Sequence, residues 1–147
     1  MPYFNDDIST LGLPTIYYPT FSSSGGSSQI AYTGTPATGS FIKIGKLVSF
    51  RIRVDYTTLT SFGVGSGSQY FVTLPFVPNA LYSFNDGLYY KGSNGNQYEI
   101  LGTTNGTTTM SMWHSAGSGN APSMNHSQPV SASTSDYFYI SGTYESI

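Results

Sequence analysis

Cysteine is absent from the 147 residues, so neither a disulfide framework nor a thiolate metal site is available. Charge is scarce as well. Five Lys and Arg stand against seven Asp and Glu, 8% of the chain, where about 25% is usual for globular proteins. A formal charge of −2 leaves no cationic surplus to displace counterions from phosphates, which argues against nucleic acid as a partner. No apolar run approaches the ~20 residues that a membrane helix needs. The opening Met1-Pro2-Tyr3-Phe4-Asn5-Asp6-Asp7 has neither the basic start nor the apolar stretch of a secretory leader, so none is expected. Disorder does not follow from the low charge, because disordered chains pair high net charge with few aromatics, and this chain carries 13 Tyr, 9 Phe and 1 Trp. Rich in Ser, Thr, Asn, Gly and Tyr, the composition is that of one all-β domain with a neutral polar surface.

The first thirty residues read differently from the rest. Pro2, Pro14 and Pro19 fall among Ile16, Tyr17, Tyr18 and Phe21 without helical or alternating spacing, and prolines so placed favour extended or turning backbone. Ser22-Ser23-Ser24-Gly25-Gly26-Ser27-Ser28 is a linker by composition. Residues 1–30 are therefore expected to form an extended anchoring arm with a Gly/Ser linker, and residues 31–147 a β domain. Holding such an arm costs ~1–2 kcal/mol per ordered residue. Either its own domain or a partner must supply that energy. The partner reading makes Tyr3, Phe4, Ile16, Tyr17, Tyr18 and Phe21 the anchors.

From Tyr32 onward period-two alternation takes over. Val48, Phe50, Ile52, Val54 and Tyr56 share one face of a strand, and Leu47, Ser49, Arg51, Arg53 and Asp55 share the other. Phe41–Ile44 precedes it across Gly45, which predicts a hairpin turn or a bulge. Further strands are predicted at 69–74, 81–84, 88–91, 97–101, 107–113 and 136–144. Asn85-Asp86-Gly87, Ser93-Asn94-Gly95-Asn96 and Asn105-Gly106 read as turns between them. Some eight short strands without a helical segment describe an antiparallel β-sandwich, most simply a jelly roll. Residues 115–132 read as one long surface loop, too long to be idle, so it is either functional or packed on a neighbour.

Tyr32-Thr33-Gly34-Thr35-Pro36, then Gly39-Ser40-Phe41-Ile42-Lys43-Ile44-Gly45-Lys46-Leu47-Val48, then Tyr70-Phe71-Val72-Thr73-Leu74-Pro75-Phe76 and finally Tyr139-Ile140-Ser141-Gly142-Thr143-Tyr144-Glu145 follow one another in the chain. This order resembles the C-terminal domain of bacteriophage virion proteins found on tail fibres, head fibres and capsid decorations. The resemblance spans about residues 31–146. It implies a jelly-roll knob, similar in shape to C1q and tumour-necrosis-factor domains, that assembles as a homotrimer on the particle exterior. The arm lies outside the resemblance; joined to it, the leading expectation is a capsid-cementing subunit whose arm meets the major capsid protein or another virion protein. Phe76, Tyr137, Tyr139 and Tyr144 are then the expected trimer contacts, since a tyrosine-rich stripe left on a strand is commonly an interface. The other arrangement covers that stripe with a second sheet of the same chain. The sequence departs from the resemblance where histidines are common, reading Ala80-Leu81-Tyr82 and Phe138-Tyr139-Ile140 there, which removes a metal or proton-linked role at those positions.

Catalytic motifs are missing. No nucleophile elbow, P-loop or dinucleotide fingerprint occurs. Asp55 and Glu99 form a carboxylate pair only if folding brings them together across roughly 5–10 Å. Asp55 is better read as the partner of a strand arginine and Asp86 as a turn residue before Gly87. His114 and His126 have no ligand spacing and read as surface or loop residues. Lys43, Lys46, Arg51 and Arg53 make a modest basic cluster near one sheet edge, suited to an acidic segment such as Asp6-Asp7. The chain is thus expected to be non-enzymatic, without metal or cofactor and without membrane contact. A second reading is a receptor-binding knob that recognises host surface glycan through Trp113, Tyr89, Tyr90, Asn94 and Asn96, with aromatics for sugar faces and amides for hydroxyls.

Overall fold

The computed structural model describes residues 13–24, 29–63, 69–79, 84–104, 106–115, 122–125, 127–129 and 131–147. Among them there is no α-helix. The strands are β1 (Thr15–Tyr17), β2 (Phe21–Ser24), β3 (Ile30–Tyr32), β4 (Ala37–Ile44), β5 (Leu47–Asp55), β6 (Leu59–Phe62), β7 (Gln69–Thr73), β8 (Phe84–Tyr90), β9 (Gln97–Thr104), β10 (Thr109–His114) and β11 (Tyr137–Glu145). One 3₁₀ turn, Tyr56–Thr58, follows β5 and is capped by Asp55, whose Oδ1 accepts from the Thr57 N–H at 3.1 Å. Nine strands form one antiparallel sheet in the order β1-β4-β5-β11-β8-β9-β10-β7-β2, and β3 pairs with β6 beside it.

The sheet curls until its ends cover its middle. Five strand spacings separate edge strand β2 from β11, so a flat sheet would hold them ~24 Å apart. Instead the Phe21 and Phe138 rings lie 5.7 Å apart. The alternation written into β5 drives this. Val48, Phe50, Ile52 and Val54 all point inward and are buried, as a strand with one apolar face requires. They share the core with Tyr70 and Val72 of β7, Ile100 of β9, Met110 and Met112 of β10, and Phe138, Ile140 and Tyr144 of β11.

β4 and β5 form a tight hairpin: Ile44 pairs with Leu47, leaving Gly45 and Lys46 in the loop. Gly45 has φ +60° and, among the described residues, only glycines have a positive φ, so Lys46 does not, which is the type II′ arrangement. The predicted hairpin is therefore present. Ser93–Asn96 lies in the turn between β8 and β9, where the Gly95 N–H donates to the Lys91 carbonyl at 2.9 Å.

Asn85-Asp86-Gly87, in contrast, is not a turn. It lies within β8, with Gly87 opposite Ile140 and Asn85 opposite Gly102. A Cβ on Gly87 would stand 2.3 Å from the Tyr139 carbonyl oxygen, and one on Gly142 would stand 1.8 Å from Oδ1 of buried Asn85. Here glycine serves close strand packing, and the turn-like composition is misleading for that reason.

The leading segment is partly built into the domain. β1 pairs with β4 at one sheet edge and β2 with β7 at the other, so the sheet begins well before residue 31. Phe21 is a core residue, 1% exposed, with ring contacts to Tyr56, Tyr70 and Phe138. The expectation that Phe21 anchors a partner is corrected: its ring does more burying area at the centre of its own subunit. Tyr17 is half-buried against Phe41, ring centres 5.8 Å apart, whereas Ile16 and Tyr18 are exposed. Tyr3 and Phe4 lie outside the described residues.

The long loop after β10 is packed on its own subunit where it is described. Ser123 bridges to Trp113. Met124 is buried, its N–H donating to Met112 and its carbonyl accepting from the Tyr70 N–H.

Candidate functional site

Inward alternation on one face of the sheet obliges the opposite face to carry its charged and aromatic residues outward. Strand register sets them in rows. One row runs Ile16, Ser40, Arg51, Ser141, Asp86, Leu101 across β1, β4, β5, β11, β8 and β9. The row beside it runs Thr38, Arg53, Tyr139, Leu88, Glu99. These two rows line an open trough of about 930 Å³. Three large apolar side chains stand in it with much of their surface in water: Ile16 at 58%, Leu88 at 47% and Tyr139 at 46%.

The trough is cationic on its β5 flank and anionic on its β8–β9 flank. Arg53 is held from several sides. Nη2 meets Asp55 Oδ2 at 2.9 Å, Nη1 donates to the Tyr139 hydroxyl at 2.7 Å, and the guanidinium lies 4.7 Å and 5.3 Å from the Tyr137 and Tyr139 ring centres. Tyr137 in turn stacks on Tyr90 with ring centres 4.7 Å apart. Burial pushes the Asp55 carboxyl up. The Thr57 donors and Arg53 outweigh it and hold the group below the ordinary carboxylate value. Arg51 donates through Nε to Ser40 Oγ at 3.0 Å. Among the described residues the ion pairs are Arg53–Asp55 and Lys91–Asp136. Arg51, Asp86 and Glu99 take part in none.

The second charged cluster is structural. Asp136 is fully buried at the start of β11. It accepts hydrogen bonds from the Tyr89 hydroxyl, from Lys91 Nζ at 3.1 Å, from the Gly92 N–H at 3.0 Å, and from the N–H and Oγ of Ser133 at 2.8 and 2.7 Å. Lys91 Nζ also donates to the Ser131 carbonyl at 2.6 Å. Burial raises the Asp136 carboxyl, but donors from Tyr89, Ser133 and Gly92 more than offset it, so its pKa lies below the ordinary value. Five donors on one carboxylate pin the end of the long loop to the end of β8.

Of the expected trimer contacts, Tyr139 and half-buried Tyr137 lie on the open face. Tyr144 does not. It is 4% exposed, packs against Phe50, and its hydroxyl donates to the Phe76 carbonyl at 2.9 Å. That expectation is corrected: in β11 even-numbered Phe138, Ile140 and Tyr144 all turn inward. Phe76 is half-buried, edge-on to Phe41 at 5.1 Å with Lys43 Nζ 4.0 Å above its ring.

The glycan candidates do not converge. Tyr89 is 1% exposed and its hydroxyl is committed to Asp136, so it cannot stack on a sugar. Asn94 and Asn96 sit in the β8–β9 turn near Tyr90. Trp113 lies opposite Leu101, with Nε1 donating to Thr103 Oγ1 at 2.8 Å. Two strands and four residues of register separate Trp113 from Tyr90, on the order of 15 Å. Asp55 and Glu99 are three strand spacings apart, ~14 Å, and are likewise not brought together. His114 is buried at the end of β10 rather than on the surface; His126 lies outside the described residues. No group of three or more His, Cys, Asp or Glu suited to a metal occurs among the described residues.

Sequence reasoning missed Asp86, Leu88 and Glu99 as members of one site. The signal was available in the parity of β8: Asp86, Leu88 and Tyr90 alternate with Asn85, Gly87 and Tyr89. Reading Asn85-Asp86-Gly87 as a turn broke the count. In comparison with known proteins, no family model, curated protein or solved structure matches the chain.

Proposed function

We propose that the chain is a non-enzymatic structural protein of a bacteriophage virion. It is a jelly-roll subunit that forms a homotrimer on the particle exterior and cements neighbouring shell components. The resemblance over residues 31–146 supports this reading, as does the all-β antiparallel architecture. The observation that carries it is the open sheet face. Exposed Ile16, Leu88 and Tyr139 stand among charges of both signs, a composition suited to burial against protein. Each subunit contributes one such face to the knob. Attachment to the shell falls to residues 1–12, which include Tyr3, Phe4 and Asp6-Asp7. Residues 15–17 and 21–24 already serve the sheet. Three tethered segments per knob turn modest individual contacts into durable attachment through effective concentration.

The test is co-sedimentation of purified protein with virions that lack it. The full chain is expected to pellet with particles. A variant without residues 1–12 is expected to stay folded and keep its oligomeric state yet remain in the supernatant. Pelleting that survives the deletion, or a full chain that never pellets, contradicts the reading.

A further inference from the structure

The charges on the open face are arranged so that they can be satisfied by a second copy of the same chain in only some orientations. Arg51 and Asp86 stand at one height along the strands, in register with Ser141 from either side; Arg53 and Glu99 share the next outward-facing height with Tyr139 and Leu88. β5 and β8 are both neighbours of β11, so opposite charges flank one central strand ~10 Å apart.

We infer that copies of this chain associate through the open sheet face about a rotation axis running parallel to β11. Arg51 of each copy then meets Asp86 of the next, and Arg53 meets Glu99. Such a rotation leaves heights along the strand unchanged and turns the β5 flank of one copy toward the β8–β9 flank of its neighbour. Both ion-pair rows therefore close at once, while Leu88 and Tyr139 are buried near the axis. An axis lying in the face but perpendicular to the strands does the opposite. It places β5 on β5, arginine against arginine, and β8 on β8, carboxylate against carboxylate, an arrangement that like-charge repulsion disfavours.

Charge complementarity also selects the occupant. An acidic segment such as Asp6-Asp7 suits Arg51 but is repelled by Asp86 and Glu99. A second copy presents both signs, each where its opposite stands. Neither Arg51 nor Asp86 nor Glu99 has an ion-pair partner within its own chain among the described residues. This inference rests on the proposed reading as a self-assembling knob and specifies the surface and axis of its assembly.

Charge exchange on the full chain tests it, with mass measured by light scattering during size-exclusion chromatography. Wild-type protein is expected at three times the 15.8 kDa chain mass. Arg51→Asp alone and Asp86→Arg alone each set like charges at every junction, and assembly weakens by at least about a hundred-fold. The double variant Arg51→Asp/Asp86→Arg restores opposite charges and regains the wild-type mass, which also shows that the single variants failed through charge and not through folding. Mixing the two single variants leaves at least one like-charge junction in any three-membered ring but none in a mixed pair, so full rescue on mixing identifies a dimer. A wild-type dimer with the same swap behaviour upholds the axis and removes the trimer. A wild-type trimer indifferent to all three variants overturns the inference and leaves the trimer standing. A lone wild-type subunit overturns both. If deleting residues 1–12 changes the number of copies in the assembly while the swaps do not, the leading segment and not the charged face governs association, and the inference falls.

Discussion

Phe21→Ala decides whether the leading segment belongs to the fold or to a partner. The ring is 1% exposed and has three aromatic neighbours: Tyr56, nearly parallel at 5.7 Å, Tyr70, edge-on at 5.1 Å, and Phe138, edge-on at 5.7 Å. Truncating a buried phenylalanine to alanine costs about 3–5 kcal/mol in transfer and cavity terms. Aromatic geometry, worth about 0.5–1.5 kcal/mol per pair, places this site toward the upper part of that range. Typical domains hold only about 5–15 kcal/mol, so the loss takes a third or more of the total. In urea, with a slope of about 2 kcal/mol per M, the midpoint should fall by about 2 M. Thermal unfolding should fall by roughly 10 °C or more at about 2–4 °C per kcal/mol. Ile16→Ala in the same segment removes an exposed side chain and should stay within about 0.5 kcal/mol. A Phe21→Ala variant as stable as wild type refutes the placement of β2 in the sheet and returns Phe21 to the role of a free anchor.

Three further outcomes follow from the packing. Asp136→Ala strands a buried Lys91 ammonium and the Tyr89 hydroxyl; a loss of about 3–5 kcal/mol is expected by denaturant titration, and a loss under about 1 kcal/mol contradicts the five-donor cluster. Gly142→Ala puts a methyl 1.8 Å from Asn85 Oδ1, so a penalty of about 1–3 kcal/mol or more is expected; a neutral substitution contradicts the tight β11–β8 approach. On the alkaline side, burial pushes the Tyr144 hydroxyl up to about 12 and those of Tyr56, Tyr70 and Tyr89 up as well, the last also because of Asp136. These groups ionise more readily unfolded, near 10. Their contribution is thus whole below pH 10 and is lost as pH climbs through 12. Tyrosinate absorbance from the buried rings should appear together with loss of circular dichroism. Ionisation of all thirteen tyrosines at pH 10 with the fold intact refutes the burial.

Much of the architecture was legible because alternation is a strong signal wherever only one sheet face is buried. In β5 every second residue is apolar, and each points where the pattern directs. The Gly45 hairpin and the Ser93–Asn96 turn were legible because a positive φ or a tight reversal has few chemical solutions. Other features depend on tertiary neighbours that local sequence does not name. Asn85-Asp86-Gly87 has turn composition, but Gly87 and Gly142 are there to let strands and buried Asn85 approach. Ser22–Ser24 has linker composition, yet it pairs with β7 because Phe21 beside it reaches the core. The outer-face site was half legible. Arg51, Arg53 and Tyr139 were singled out by parity and charge, while Asp86, Leu88 and Glu99 became their companions only once β8 and β9 were placed on the far side of β11.

The most direct measurement of the assembly claim uses the chain's lack of cysteine. Ser141 is exposed at the centre of the outer face, on the strand that the rotation axis follows, and Thr60 is exposed on β6, away from that face. With single Ser141→Cys and Thr60→Cys variants at micromolar concentration, a short thiol cross-linker should join copies through position 141 at a yield independent of dilution over the assembled range, and leave the Thr60→Cys protein uncoupled. Cross-linking at 60 and not at 141, or at neither, contradicts association through the open face.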